Sequence, residues 1–391
     1  MANNKKNILI DGRFIGVGES ISRYTLEILK GILDLDKINE YTVLIRPQGL
    51  GEAKKLKEKY SKLKIEVLDV KHYSFAEQTQ LLKWLNQKKF DLVHFTQFNH
   101  PINYKGKFIV TVHDLTLLGH LYRMNLLKRL GFRSVMASAV KNSIIIISDS
   151  NTTKKDIIET YKADLDKIIV THLGVDSAFN AQVKSEKLKV KSFKKKYGIT
   201  GEYILYTGMW KRHKNLLQML KAFEQVKSEI RNPKSEHIQL VLVGKIDKEE
   251  PEVIAEINRI NSSLEAKSNQ LKVIVTTGFI EEDELPIAYA GALAYCIPSL
   301  SEGFGLPPLE AMACGTPVIS SNISAMPEIL GNVPLYFDPY NVEDIAHAMK
   351  KIIEDKKLRE ELSKKGLEQV KKYNWKNTAK RTLDVYKGVL K

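Results

Sequence analysis

The sequence predicts an α/β protein built as two doubly wound, parallel-sheet domains. Three observations carry that class. A chain of 391 residues exceeds what one ordinary core holds. Short apolar runs recur in both halves, and they are continuous rather than alternating, the mark of strands buried on both faces. Amphipathic stretches of helical period lie between them, and that alternation belongs to Rossmann-like parallel sheets.

In the first half the runs Ile8–Ile10, Thr42–Ile45, Ile65–Val70, Leu92–Phe95, Ile109–Val112 and Ile144–Ile147 read as strands. Helical stretches such as Ser22–Leu33 and Phe75–Leu85 separate them. The second half repeats the scheme with Tyr203–Tyr206, Gln239–Val243, Val273–Thr276, Leu293–Ile297 and Pro317–Ser320. The segment Thr171–Asp176 ends the first sheet, and the lysine-rich stretch Lys184–Lys196 reads as a solvated linker into the second domain. This divides the chain into residues 1–180, residues 181–373 and a last amphipathic helix in 374–391 that is expected to pack back on the first domain. In such folds ligands meet the carboxyl ends of the strands, so the chemistry is expected in strand-to-helix loops facing a cleft between the two domains.

Composition narrows the function classes. With 43% hydrophobic and 27% charged residues the chain reads as globular, not disordered. No apolar run is long enough to span a bilayer, and the N-terminal segment lacks a leader-like apolar stretch, so a cytoplasmic protein is expected. Cys296 and Cys314 sit in apolar contexts and read as buried free thiols. The formal charge of +15 suits an anionic partner: nucleic acid, anionic lipid or a phosphorylated ligand. No zinc-finger spacing or RNA-binding signature accompanies it, which leaves nucleic acid the weakest of the three.

The strongest chemical signal follows the strand Leu293–Ile297. The loop Ser299–Leu306 carries Gly303 and Gly305, and Pro307-Pro308 then open a helix. A helix start offers unpaired N–H groups and a positive dipole end, which favour phosphate. Glu302 in the loop and Glu310 in the first helical turns are spaced to flank an extended ligand rather than to clasp one metal ion. An exposed loop charge and a helix-dipole partner are the bland alternatives for them. A second signal, Gly208-Met209-Trp210-Lys211-Arg212-His213-Lys214-Asn215, follows the strand Tyr203–Tyr206. Cations there make sense if a departing phosphate lies beside them.

The segment Glu302–Glu310 with its embedded Gly-Phe-Gly-Leu-Pro resembles the signature of family 4 retaining glycosyltransferases of the GT-B type. The resemblance extends to Gly278-Phe279-Ile280, Leu285–Ala290, Ala311–Val318, Pro327-Glu328, Asp338-Pro339, Lys214-Asn215 and His113-Asp114. It implies that Glu302 binds sugar hydroxyls near the reacting carbon, Glu310 the donor ribose, and the amides of Phe304, Gly305 and Leu306 the diphosphate. Gly208 would open the phosphate loop. Lys214, with Lys211 or Arg212, would bind the phosphates; relatives place an arginine where this chain has Met209, so the second cation stays open between those two.

In the first half Gly16 and Gly18 follow the first strand, and the spacing Gly12-Gly16-Gly18 does not match the dinucleotide pattern, so no nicotinamide cofactor is expected. The resemblance makes this glycine pair a loop closing over donor and acceptor, and places His113 beside the transferring sugar. Asp114 either orients that histidine or caps the next turn. Asp34-Leu35-Asp36 and Asp164-Leu165-Asp166 have Asp-x-Asp spacing but lie away from strand ends, so no metal is expected. Tyr122–Lys141 carries Arg123, Lys128, Arg129, Arg133 and Lys141 without an acidic residue, which fits either a helix on anionic lipid or a core helix with a solvated basic face.

Together with these features, the resemblance implies a metal- and cofactor-independent hexosyltransferase acting with retention. Its donor would be GDP-mannose, or alternatively a UDP-sugar, and its acceptor a glycan or lipid-linked glycan of a surface polysaccharide. A peripheral contact with anionic membrane fits the charge. A GT-B epimerase, a phosphorylase needing pyridoxal phosphate, and a silent partner-binding subunit are the rival readings.

Overall fold

The computed structural model describes residues 5–17, 20–116, 126–180, 183, 187–229, 237–244, 250–265 and 272–391. The chain forms two compact units: Met1–Gly174 with Asn374–Lys391, and Val175–Tyr373.

The first unit runs β1 (Asn7–Asp11), α1 (Ser20–Leu35), β2 (Glu40–Ile45), α2 (Leu50–Lys59), β3 (Lys64–Val67), α3 (Leu82–Gln87), β4 (Leu92–Phe95), β5 (Phe108–Val112), α4 (Leu126–Asn142), β6 (Ile146–Ser148), α5 (Asn151–Tyr161) and β7 (Ile168–Val170). Among the described residues the strands form one parallel sheet in the order β3-β2-β1-β4-β5-β6-β7. Successive side chains of a strand enter opposite faces, and here both faces are apolar. Leu9, Val93, Val110 and Ile146 join Leu85, Met136 and Ile157 on one side. Ile8, Ile10, Leu92 and Ile109 join Leu29, Ile32, Leu56 and Tyr386 on the other. That two-sided burial is why the strands read as unbroken apolar runs.

The second unit runs α6 (Lys187–Tyr197), β8 (Tyr203–Thr207), α7 (Leu216–Glu229), β9 (Gln239–Val243), α8 (Pro251–Glu265), β10 (Ile274–Gly278), α9 (Leu285–Gly291), β11 (Ala294–Ile297), α10 (Leu306–Ala313), β12 (Val318–Ser321), α11 (Met326–Leu330), β13 (Leu335–Phe337), α12 (Val342–Glu354) and α13 (Lys356–Val370). Its described strands form a parallel sheet in the order β10-β9-β8-β11-β12-β13. Ile204, Tyr206, Leu240, Cys296 and Ile319 pack there on Met219, Phe223, Ile345, Met349 and Ile352. Cys296 and Cys314 are both free and buried.

A last helix, α14 (Trp375–Leu390), belongs to the first unit. It lies so close to α1 that a Cβ on Gly31 would stand 2.4 Å from Ala379 Cβ. Its Tyr386 and Leu383 complete the core under β1, β4 and β5.

Two expectations change. The stretch Lys184–Lys196 is not a linker in its described part: from Lys187 it is helix α6, anchored by the buried Phe193, with Lys194 partly buried and donating to Gly201 O while most of its other lysines face solvent. The unit boundary falls at Gly174/Val175, where the Val175 amide donates to Tyr373 O. The basic segment is helical from Leu126. Phe132, Met136 and Ala139 enter the core while Leu126, Leu127 and Leu130 stay exposed, Leu127 at 81%; Arg123 lies outside the described residues. Among the described residues no helix is long and apolar enough to cross a membrane.

Candidate active site

In the second unit β8 and β11 are neighbours, and the strand order reverses direction between them. Loops leaving the carboxyl ends of two such strands diverge to opposite faces and open a crevice. Both sequence signals sit there.

The β8 loop begins at Gly208, with φ 139° and its amide donating to Val243 O. Gly244 packs on it so tightly that a Cβ there would fall 1.9 Å from Gly208 O, so the approach needs glycine. Trp210 is buried, Met209 exposed, and Arg212–Lys214 form one 3-10 turn capped at Lys211. Asn215 ends the turn in the left-handed region, φ 58°, and its Nδ2 donates to Pro298 O at 3.1 Å and Pro339 O at 2.7 Å. The amide of Leu300 donates to His213 O. These bonds staple the β8 loop to those following β11 and β13, and Asn215 acts as the staple rather than as a ligand group.

The staple brings Lys214 Nζ to 2.7 Å from Glu302 Oε1. Ser299 Oγ donates to the same oxygen at 2.6 Å. The backbone of Glu302 is fixed too: its amide donates to Ser324 Oγ, and that hydroxyl donates back to Glu302 O. Burial pushes the Glu302 carboxyl up, but the Lys214 charge and hydrogen bond, the Ser299 hydroxyl and the His213 charge pull it below the ordinary carboxylate range. The side chains of Lys214 and Glu302 remain 21% and 13% exposed, so the pair is reachable from solvent.

Beyond Glu302, the Phe304 ring is buried edge-on against Tyr373. Gly305 takes φ 93°, with Met326 Cε 2.4 Å from where a Cβ would sit, and Leu306 opens α10. Glu310 lies one turn further in. It is buried and accepts from Tyr289 Oη at 3.0 Å, and Tyr289 Oη meets Thr207 Oγ1 at the end of β8. The two glutamates thus take different partners on either side of the helix start. Lys211, Lys214, Gly208, Glu302, Phe304, Gly305, Leu306 and Glu310 are gathered around one switch point; Arg212 stands exposed in the same turn.

In the first unit Gly16 has φ 81°, and a Cβ on it would meet Gln48 O at 2.5 Å. Gly18 lies outside the described residues. His113 follows β5, and its Nδ1 meets Asp149 Oδ2 at 2.6 Å while Nε2 meets Thr96 O at 3.0 Å. Asp114 takes the capping role instead, accepting from the Thr116 amide. Asp149, the true partner of His113, was missed by sequence reasoning. The signal available was its place directly after the apolar run of β6, since Val112 pairs with Ser148 and the next residues stand side by side. The Asp-x-Asp pairs serve as turn caps: Asp36 accepts from the Ile38 amide and Tyr41 Oη, Asp164 from the Asp166 amide. Among the described residues no group of three or more His, Cys, Asp or Glu side chains is placed to hold a metal ion.

Comparison with known proteins places this geometry. The profile of the glycosyl transferases group 1 matches residues 189–369, and that of glycosyltransferase family 4 matches residues 23–179. Between them they take in both units. The chain belongs to the family 4, group 1 glycosyltransferases. Among its relatives is the serotype-specific mannosyltransferase WbdA of Escherichia coli, 31% identical over 245 residues, a stretch covering 63% of this chain and 29% of WbdA. The O-antigen chain mannosyltransferase B of Escherichia coli is 30% identical over 62% of this chain and 60% of its own length. The O-antigen chain mannosyltransferase RfbU of Salmonella typhimurium is 29% identical over 70% of this chain and 67% of its own. The chain therefore spans under a third of WbdA and about three fifths of the second relative. Of solved structures, Anabaena HepE in complex with UDP and glucose superposes with a TM-score of 0.75 at 15% identity, covering 98% of this chain and all of HepE. WaaG, a glycosyltransferase involved in lipopolysaccharide biosynthesis, does so at 0.70 and 13%, covering 97% of this chain and 99% of WaaG. At these identities the likeness establishes the fold, the GT-B architecture of two Rossmann-like units.

Proposed function

We propose that this family 4 chain is a hexosyltransferase that moves mannose from GDP-mannose, with retention, onto a growing glycan or lipid-linked acceptor of a surface polysaccharide. The observation that carries the reading is the Lys214–Glu302 pair at the switch point beside the Gly305 helix start. A fixed ammonium there neutralises charge as a diphosphate departs, and a carboxylate held by Lys214 and Ser299 can orient sugar hydroxyls. The start of α10, with Phe304, Gly305 and Leu306, is assigned to the diphosphate and Glu310 to the ribose. Lys211 or Arg212 supplies the second phosphate contact. Gly16 and Gly18 are assigned to a loop closing over donor and acceptor, and His113 to the transferring sugar. No metal or cofactor enters the chemistry. That WbdA, mannosyltransferase B and RfbU are mannosyltransferases supports mannose as the sugar.

Exposed Leu126, Leu127 and Leu130 beside Lys128 and Arg133 support a peripheral contact with anionic membrane at the cytoplasmic face. The alternative donor is a UDP-sugar, supported by the fold shared with HepE, whose structure holds UDP and glucose.

A panel of nucleotide sugars, read by thermal shift and by nucleotide release with chelator present, tests the reading. GDP-mannose should raise Tm and be turned over, and Lys214→Ala and Glu302→Ala should each lower turnover on the order of a hundredfold. Turnover near wild type in both variants overturns the assignment. A shift with UDP-sugars alone transfers it to the second donor, and no shift with any donor indicates a silent partner subunit.

A further inference from the structure

His113 has no nitrogen to spare. Its Nε2 stands 3.0 Å from the Thr96 carbonyl oxygen, which only accepts, so Nε2 carries a hydrogen and donates it. The 2.6 Å bond between Nδ1 and Asp149 Oδ2 holds one more proton. If Asp149 is ionised, that proton sits on Nδ1; if it is neutral, the carboxyl donates to Nδ1. In both cases the pair contains the same two hydrogens, and the ring presents no lone pair.

We infer that His113 and Asp149 form a closed pair that keeps its shared proton throughout the working range, with Asp149 as the positioning residue of His113 and the imidazole serving as a fixed ring rather than as a proton acceptor. The purpose given to the pair rests on the transferase reading above; its protonation does not.

The other neighbours of the ring are themselves tied down, while Asp149 Oδ1 is buried without a hydrogen-bond partner among the described residues. Thr96 donates through Oγ1 to Asp11 O and accepts from Thr25 Oγ1, so its carbonyl cannot swing away. Thr153 Oγ1 donates to His113 O. The Tyr24 ring meets the imidazole edge-on at 4.8 Å, and its hydroxyl is anchored on Thr111 Oγ1, which also takes His94 Nε2. The charged and titratable groups facing the pair are Asp114 in the same loop as His113, His172 after β7, His94 beneath and the Tyr24 hydroxyl, while Asp11 at the end of β1 acts on His94. Burial pushes His94 down to about 3, so it is a neutral neighbour. Burial also works to lower His113, but the Asp149 charge and bond, the Asp114 charge and the Thr96 carbonyl raise it above the ordinary histidine range. Burial raises Asp149 as well. Both directions say that the pair holds its proton.

The consequence for the reaction is a division of roles. A general base needs a lone pair near the proton it takes, and His113 would have to break the Thr96 bond to offer one. What it offers is a ring of fixed orientation, with the charge of the pair held in place.

Long-range proton–nitrogen NMR on the full chain labelled with ¹⁵N-histidine tests this, with His113→Asn assigning the signal among the nine histidines. Both His113 nitrogens should show the shifts of hydrogen-bearing nitrogens from about pH 6 to about pH 9, while Asp149→Asn should expose an unprotonated nitrogen within that range. An unprotonated His113 nitrogen in the wild type at about pH 7.5 overturns the inference, whether or not any donor is turned over. With GDP-mannose as probe, Asp149→Asn should lower kcat on the order of a hundredfold with KM little changed. The acidic limb of the wild-type pH profile should lack an imidazole-range break; such a break, lost in His113→Gln, would make His113 the base and sink the proposal. If no nucleotide sugar is turned over, the transferase reading fails and the NMR result still stands.

Discussion

Lys214 Nζ lies 2.7 Å from Glu302 Oε1, though 88 residues separate them, because each sits in the loop beyond one of two adjacent strands. Lys214→Ala leaves a mostly buried carboxylate held by Ser299 alone. The Glu302 carboxyl is depressed in the folded protein, so its contribution is present above the unfolded carboxylate range and is lost as pH falls through the folded value. Lys214→Ala should therefore lower stability by about 1–2 kcal/mol near neutral pH and flatten the acid side of the stability curve. In Lys214→Ala/Glu302→Gln most of that loss should return. Urea unfolding of the single and double variants measures it.

Gly305 holds the corner between the Glu302 loop and α10. At φ 93° any other residue is strained, by roughly 1 kcal/mol or more. The Met326 methyl obstructs a Cβ as well, but it is the end of a flexible side chain and can move. Gly305→Ala should lower the Tm of the second unit by a few degrees. Adding Met326→Ala should not restore donor turnover, since the backbone conformation rather than the contact is at fault. Scanning calorimetry with a donor assay separates the two effects.

Three buried histidines make the first unit sensitive to acid. Burial pushes His94 down to about 3 and His72 and His100 to about 4. Below the unfolded histidine value the unfolded chain binds protons that the folded chain refuses. Stability should therefore fall as pH drops from about 6.5 towards about 4, by up to about 1.4 kcal/mol per pH unit for each histidine. His113 acts in the opposite sense: its folded value is raised, so its contribution is complete below the unfolded value and is lost as pH rises through the folded one. Melts across pH should show greatest stability near neutrality. In His100→Phe, where the ring already stacks on Phe108 at 5.0 Å, the acid slope should be shallower.

The fold was legible wherever a strand is buried on both faces, because its apolar run is unbroken. β7 and β13 escaped notice: each is three residues long, at a sheet edge and partly exposed, so neither makes a run. Helix α6 was hidden because it buries little besides Phe193 and its lysines mask any period. Glu302, Lys214 and Gly305 were legible because their motifs are local. Asp149 was not, since its meeting with His113 depends on the register of β5 against β6, which no local pattern carries.

The same non-local logic gives α14 its importance. Its Tyr386 Oη meets His94 Nδ1 at 2.6 Å, and the fully buried His94 continues to Thr111 and on to Tyr24 beside His113. Tyr386→Phe removes one hydroxyl and leaves the ring in place, so packing is preserved and His94 loses one buried partner. An unsatisfied buried polar group costs about 1–3 kcal/mol, and the first unit should lose stability in that range while the second unit is unchanged. The loss should shrink in Tyr386→Phe/His94→Phe, where neither polar group remains, provided the second ring fits the space. Hydrogen exchange resolves the units: faster exchange in β4 and β5 with α8 and α12 unaffected is the expected pattern, and uniform acceleration of both units would show that α14 does not act through His94.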